Sequence, residues 1–500
     1  MNRARRLARL LRILAAIIAE PGLNPLELAD RAGVSERTLR RDLAELRELG
    51  YEVAYTSGYE VQEKLNLEGR SHGKKTTPAE ESETELLKAV AHAMSSAGLW
   101  QSLDQGASAP RPQRVSKTNG SKPGPIVLLP SGDGDAEFIY AAGFAVETAV
   151  YIRYPEGDDV LFTSPLEVDR ARAQSKVKQV LVDQEAYVKG AWAALAARKV
   201  HERGFEHARV SPNLRSEYLE DLRGAGLEAE VDRQLFLAER RHKSAEEALA
   251  IEQAQHAAEA AVVEVVTELV RADIRDGVLW LEGRPLTSER LYARAQLLLG
   301  EKGFTCPEMI IAGSPESAMP HYRGEGPIKA NAPVIIDIFP TSRSTHYNGD
   351  ITRTVVIGEI SDELKQMHAA VLQALDAGIE TAGPGVPCRD VHHSVCSVLV
   401  DRGYGTTTPG YEGRDGAPKM NHSTGHGVGL DVHEEPKVRT SEAGPLREGD
   451  VITVEPGLYQ MGLGGVRIED TGMVTKDGFR NFTTLTRSLD PRDYLKTPVN

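Results

Sequence analysis

The sequence predicts an α+β protein made of a short helix-turn-helix segment, a middle α/β domain, and a strand-rich C-terminal domain that follows a long helix. Three observations predict it. Apolar residues recur with helical spacing in residues 3–19 and 244–272, whereas strand-length apolar runs bounded by Gly and Pro fill residues 126–163 and most of the chain after residue 303. The stretch "QGASAPRPQRVSKTNGSKPG", residues 105–124, has the Pro, Gly, Ser and charge content of a flexible linker. A length of 500 residues suggests about three domains rather than one core.

The first element is an Arg-studded helix over residues 3–19, with Leu7, Leu10, Leu11, Leu14 and Ile17 or Ile18 on one face. In "NPLELADRAGVSERTLRRDLAELRELG", Asn24 caps a short helix that has Pro25 at its first position and ends at Gly33, and Ser35 caps the next helix. Two helices joined by a tight Gly-containing turn make a helix-turn-helix. "YEVAYTSGYEVQ" follows as two alternating strands around Thr56, Ser57 and Gly58, the pattern of a hairpin. One further helix is expected through "TELLKAVAHAMSSAG", within a linker region spanning residues 66–125.

The middle domain, residues 126–235, opens with "PIVLLPS", "AEFIYAAGF", "TAVYIRYP" and "DDVLFTS", which read as short strands. Helices are expected around 166–177, 185–204 and "RSEYLEDLRGAG", with "HARVSP" as a further strand. The last domain, residues 236–490, begins with the Ala-rich helix "SAEEALAIEQAQHAAEAAVVEVVTELVRA". A second helix, "SERLYARAQLLLGEKG", precedes short strands and glycine turns through to about residue 490.

Composition narrows the function. Hydrophobic content of 40% and charged content of 26% are those of a globular chain. A net charge of −14 opposes bulk affinity for nucleic acid or anionic membrane, although a local basic patch can coexist with it. Cys306, Cys388 and Cys396 are few, odd in number and not arranged as C-x-x-C, so neither a disulfide framework nor a cysteine zinc site is expected. The apolar start imitates a signal peptide, but Arg12 interrupts it, Glu20 closes it, and no small-residue cleavage site follows. A cytoplasmic protein is expected, with an Arg-rich targeting helix as the alternative, and no membrane span.

The candidate ligands collect in the last domain. "NHSTGHGVGLDVHEEP" places His422, His426 and His433 within twelve positions. Two histidines four apart on a helix could share zinc. Gly425, Gly427 and Gly429 oppose that helix and favour an extended backbone that something approaches closely. Carboxylates elsewhere supply the alternative. "VIIDIFP" carries Asp337 and "HYNGDITRTVVIG" carries Asp350 at the head of a β run, while "DVITVEPGLY" carries Glu455 and "GGVRIEDTGMVT" carries Glu469. A glutamate in a buried strand requires a partner. One imidazole and four carboxylates suit a pair of divalent ions of the Mn, Co, Fe or Zn kind, with manganese favoured. Such pairs serve metal-assisted hydrolysis.

In that order, "HYNGDITRT", "NHSTGHGVGLDVHEEP", "VITVEPGLY" and "GVRIEDTGMVT" resemble the motifs of the aminopeptidase P and prolidase group. The resemblance covers residues 126 to about 490 and implies a pita-bread catalytic domain preceded by a creatinase-like α/β domain. It implies hydrolysis of Xaa-Pro bonds in proline-containing peptides by a hydroxide bridging two metal ions. Asp337, Asp350, His426, Glu455 and Glu469 fall on its metal ligands, Asp350 and Glu469 as bridges. Glu455 is implied as proton shuttle and His433 and His321 as catalytic histidines, with His422 and Arg467 on the substrate side. A homodimer is also implied. Ile338, Phe339 and Pro340 depart from the usual small residue and glycine after the first aspartate, and the interval to Asp350 is about two residues longer than common, which a loop between paired strands absorbs. His392 and His393 read as surface or packing residues away from the motifs, and His346 as a loop residue near the site.

Residues 3 to about 65 resemble, separately, a winged-helix DNA-binding domain of bacterial regulators. This implies contact with duplex DNA through Arg37, Thr38, Arg40 and Arg41. Asp42, Glu45 and Glu48 on the same helix leave a protein-contact role open. The chain overall is therefore a metallopeptidase with an added N-terminal domain, or a DNA-binding regulator whose C-terminal half senses a peptide or metal, or a join of two reading frames at the linker.

Overall fold

A computed structural model describes residues 124–496 without a break, together with the helix Pro25–Ala32, the strands Val53–Tyr55 and Tyr59–Val61, and the helical positions Ile13, Leu39, Asp42, Leu43 and Leu46. The chain divides into two units, Met1–Ser121 and Lys122–Asn500. In the first, Leu39, Leu43 and Leu46 are buried at the spacing of one helical face, as are Leu28 and Ala29 of the helix Pro25–Ala32. The two strands pair antiparallel, with Tyr55 opposite Tyr59. Arg37, Thr38, Arg40 and Arg41, and the helix expected through "TELLKAVAHAMSSAG", lie outside the described residues.

The second unit opens with a six-stranded mixed sheet in the order Val180–Val182, Asp159–Thr163, Ala149–Arg153, Ile126–Leu128, His207–Val210 and Glu228–Val231. Both faces are covered. Val127, Val150, Ile152 and Phe162 pack into one core, and Ile126, Leu128, Tyr151 and Leu161 into the other, the period-two split of strands buried on both sides. One expected strand is instead a helix, Ala136–Ala142 of "AEFIYAAGF". Asp135 caps it by accepting from the Phe138 amide at 2.9 Å, and Gly143 closes it in the left-handed region at φ 66°. The helix expected over 185–204 is broken into Gln184–Lys189 and Trp192–Glu202 by Gly190, at φ 64°.

The helix Ala245–Val270 begins on a reciprocal capping box between Ser244 and Glu247. With the helix Ser288–Glu301 it covers one face of a three-stranded antiparallel sheet, Ile310–Gly313, Pro333–Ile338 and Ile351–Val356. Val334, Ile336 and Ile338 point to those helices, so Ile335 and Asp337 point the other way. A five-stranded sheet runs Glu434–Val438, Gly425–Gly427, Val451–Val454, Asp470–Thr475 and Gly478–Asn481. A four-stranded one contains Gly457–Gln460 and Gly464–Arg467. The stretch expected to be chiefly strands also holds a 20-residue helix, Asp362–Thr381, capped by Ser361. Its Leu364, Met367, Val371 and Leu375 bury against Val454, Leu458, Val466 and Ile468. The strands that carry the candidate ligands thus lie between two helical layers.

Buried ion pairs join the segment after the α/β domain to the second sheet system. Glu434 receives Arg240 and Lys243, each at 2.5 Å, and Arg240 also reaches Asp431 at 2.7 Å. Burial opposes the charge on Glu434, but Lys243 and Arg240 outweigh it and hold the carboxyl below its usual range. Glu434→Gln leaves buried Lys243 without its carboxylate and Arg240 with only Asp431 and Glu137, and should cost about 3 kcal/mol, read as a lower urea midpoint of the full chain. Because the pKa is lowered, this contribution is present at neutral pH and lost as pH falls below the ordinary carboxylate range. An unchanged midpoint at pH 7 would contradict it.

Candidate metal centre

Asp337 lies in the strand Pro333–Ile338, directly opposite Thr352 of the antiparallel strand Ile351–Val356. Asp350 heads that second strand, and the loop between the two absorbs the longer interval. Gly349 lies so close to the long helix that a Cβ there would sit 2.5 Å from the Ala254 carbonyl carbon. The Asp350 amide donates to Gln255 Oε1 of that helix at 2.8 Å, and its carbonyl accepts from Thr471 Oγ1 at 2.7 Å. The main chain of Asp350 is held from both sides.

His426 is in the short strand Gly425–Gly427, clamped between two neighbours. A Cβ at Gly425 would lie 2.0 Å from the Thr453 carbonyl oxygen, and one at Gly427 2.3 Å from that of Glu435. This is the close backbone approach that the glycines of "HSTGHGVG" predict. Glu455 follows the strand Val451–Val454, and its amide donates to the Thr424 carbonyl at 2.8 Å. Glu469 precedes the strand Asp470–Thr475 rather than lying within a strand.

These side chains meet in one cavity of about 580 Å³, lined also by His321, His422, His433, Arg467, Lys437 and Phe339. Asp350, His426 and Glu469 each offer a ligand atom, all within 4.8 Å of one another. His426 Nε2 lies 3.6 Å from Asp350 Oδ2 and 3.5 Å from Glu455 Oε1. Asp337 Oδ1 and Glu469 Oε1 are buried and have no hydrogen-bond partner. Burial, then the neighbouring carboxylates, holds Asp350 and Glu469 well above the usual carboxylate range. Burial pushes Glu455 up to about 8, and it pushes His426 down to about 3. Negative oxygens forced together with nothing to bond, beside a neutral imidazole, are the donor set of a divalent-cation site.

Arg467 organises the cavity edge. Its guanidinium donates to Asp337 Oδ2 at 2.6 Å, Thr352 Oγ1 at 3.2 Å and the Tyr459 hydroxyl at 2.9 Å. Thr352 donates in turn to Glu469 Oε2 at 2.7 Å, leaving the other oxygen of that carboxylate unbonded. His422 Nε2 pairs with the Tyr459 hydroxyl at 2.9 Å, and the ring of His433 meets that of His426 edge-on at 4.2 Å between centroids. Of the three motif histidines, His426 faces the carboxylates while the other two flank it along the cavity wall.

Every residue expected in this site lines the one cavity. Sequence reasoning missed Tyr459, Thr352 and Lys437, although Thr352 follows Asp350 by two positions on the same strand face. Of the two roles expected for His392, surface or packing, the structure shows packing, but next to the motifs rather than away from them. It is buried in the helix Cys388–Asp401, with Nδ1 on Thr424 Oγ1 at 2.8 Å and Nε2 on Thr408 Oγ1 at 2.7 Å, hence beside the strand of His426. His346, at φ 63°, lines a different cavity, with Trp192 and Tyr347.

The arrangement defines a class first: a strand-built, carboxylate-rich cluster between helical layers that could hold a divalent metal ion. Residues 250–476 match metallopeptidase family M24, and residues 9–60 match an HTH domain. The likeness to this metallopeptidase family falls on the residues that carry the cluster, and the HTH likeness on the N-terminal segment. An Xaa-Pro dipeptidase of Pyrococcus horikoshii is 35% identical over 250 residues, 49% of this chain and 64% of that relative, so the match spans a little under two thirds of its length. The crystal structure of the prolidase from Pyrococcus horikoshii OT3 superposes with a TM-score of 0.61 at 27% identity, covering 73% of this chain and 95% of that one. The X-Pro aminopeptidase of Thermotoga maritima MSB8 shares the fold, with a TM-score of 0.61 at 24% identity over 73% of this chain and 96% of its own. These structures support the pita-bread architecture. Among the described residues, no helix is long and apolar enough to cross a membrane.

Proposed function

We propose that this chain is a metal-dependent peptidase that cleaves Xaa-Pro bonds. The observation that carries the reading is the meeting of Asp350, His426 and Glu469 beside the unbonded oxygens of Asp337 and Glu469 in one cavity. Asp337, Asp350, His426, Glu455 and Glu469 would hold two divalent ions, manganese being favoured. When bound, the ions supply Lewis acidity to the scissile carbonyl and make water a nucleophile near neutral pH. Glu455, at the cavity wall, would take a proton from the attacking water and pass it to the departing nitrogen. His433 and His321 donate to the carbonyl oxygen as charge develops on it. His422, fixed by the Tyr459 hydroxyl, and Arg467, fixed by Asp337, shape the substrate side. A cytoplasmic homodimer completes the proposal.

The purified chain, stripped of metal and then supplied with Mn or Co, should release the N-terminal residue from Xaa-Pro dipeptides or longer Xaa-Pro peptides. It should leave Xaa-Ala controls intact. Inactivity across peptide lengths with either metal rejects the reading.

The helix-turn-helix match favours a second role in DNA binding. Arg37, Thr38, Arg40 and Arg41 would contact the duplex, and binding would weaken steeply with salt. Affinity unchanged after replacement of Arg40 and Arg41 would reject that role.

A further inference from the structure

We infer that Arg353 is a positioning residue that fixes Glu469 against Asp350, so that the two carboxylates share one ion-binding space. Arg353 is fully buried on the strand Ile351–Val356. Strand alternation turns it away from the cavity, opposite in direction to its neighbour Thr352. A guanidinium has five N–H donors in a rigid fork, and here the fork has five acceptors. Nε donates to the Thr486 carbonyl at 2.8 Å. Nη1 donates to the carbonyls of Thr352 at 2.9 Å and Glu469 at 2.6 Å. Nη2 donates to Asp470 Oδ1 at 3.0 Å and the Leu485 carbonyl at 2.9 Å.

The consequence lies in the backbone of Glu469. Its amide donates to the Thr352 carbonyl at 3.0 Å while its carbonyl accepts from Arg353. Two consecutive residues of the Asp350 strand therefore hold both main-chain polar groups of Glu469. Asp350 itself is pinned at amide and carbonyl by Gln255 and Thr471. The separation of the two carboxylates is thus set by main-chain hydrogen bonds, with Arg353 the only side chain among the described residues that bonds the Glu469 carbonyl. A lysine carries the same charge but has three donors and no planar fork, so it cannot hold these five acceptors together.

The inference rests on the metal-centre reading above, and the experiment separates the two. Wild-type protein, the Arg353→Lys variant and an Arg241→Lys variant are titrated with Mn(II) by calorimetry, and the loaded forms are examined by electron paramagnetic resonance. Arg241 is paired with buried Asp450 outside the cavity lining and serves as a stability control. Failure of the wild type to bind Mn(II) rejects the metal-centre reading and this inference with it. If the wild type binds, Arg353→Lys should lose ~10-fold or more in affinity for at least one ion and lose the magnetic coupling between two ions, while Arg241→Lys binds as the wild type does. Wild-type affinity and coupling in Arg353→Lys overturn the inference, as does an equal loss in the control. Should Arg353→Lys fail to fold, Asp470→Asn decides. It keeps an acceptor for Nη2 but removes the charge that holds the fork, and it should show a smaller loss in the same direction; unchanged Mn(II) affinity there overturns the inference.

Discussion

Glutamine at position 469 should abolish Xaa-Pro hydrolysis and yet raise the stability of the metal-free protein. Glu469 is buried with one oxygen unbonded and lies within ligand distance of Asp350 and His426. Without an ion its carboxylate is held well above the usual range, by burial and then by Glu455 and Asp337, so its charge opposes the fold. The amide removes that opposition. It can still accept from Thr352 and can donate to a neighbouring carboxylate, which together should stabilise the metal-free chain by about 1 kcal/mol. The same change removes an ion ligand, and activity should fall by about 10³-fold or more. Turnover of an Xaa-Pro peptide with Mn present, and melting of the chelator-treated protein, check both halves. Activity within tenfold of the parent would reject the role given to Glu469.

The second large effect is on pH. Asp350 and Glu469 are raised well above their ordinary values and Glu455 to about 8, so these three carboxyls hold more protons in the folded metal-free chain than in the unfolded one. Their contribution to stability falls as pH rises and is lost above about pH 8. His392, His422 and His426, lowered by burial in the fold, act in the opposite sense below the ordinary imidazole range, so the fall shows above it. Ion binding needs those carboxylates ionised and releases their protons. The stabilisation given by Mn should therefore widen between about pH 7 and pH 8, where imidazoles no longer titrate and the metal-free protein melts at lower temperature as its carboxyls ionise. A gap between metal-bound and metal-free melting that is constant over this range would show that the cluster does not carry shared protons.

The residues that meet in the cavity were legible because their signals are local. Apolar and β-branched runs put Asp337 at the end of one strand and Asp350 at the head of another, and the glycines around His426 opposed a helix, for the same steric reason now visible at the Thr453 and Glu435 carbonyls. The helix Ala136–Ala142 was not legible as one, since a short apolar run suits either state; its Asp135 cap was the signal that distinguished them. His392 looked remote for another reason. Nothing local to "DVHHSVC" indicates that its helix packs on Thr424, 32 residues away in sequence. Tyr459 and Arg353 matter through bonds to Arg467 and to the Glu469 carbonyl, and such partners appear only once strands are registered.

The sequence by itself determined which residues could bind an ion: four acids and a histidine at strand ends, with glycines wherever another strand must come close. Periodicity and backbone sterics act within a few residues, so they can be read along the chain. Only the tertiary structure decided how these groups share one cavity, which oxygens remain unbonded, and that a buried guanidinium holds the two central carboxylates together. Those outcomes depend on hydrogen bonds spanning more than a hundred residues, such as Arg353 to Glu469, which exist only after the two helical layers have brought the strands into register.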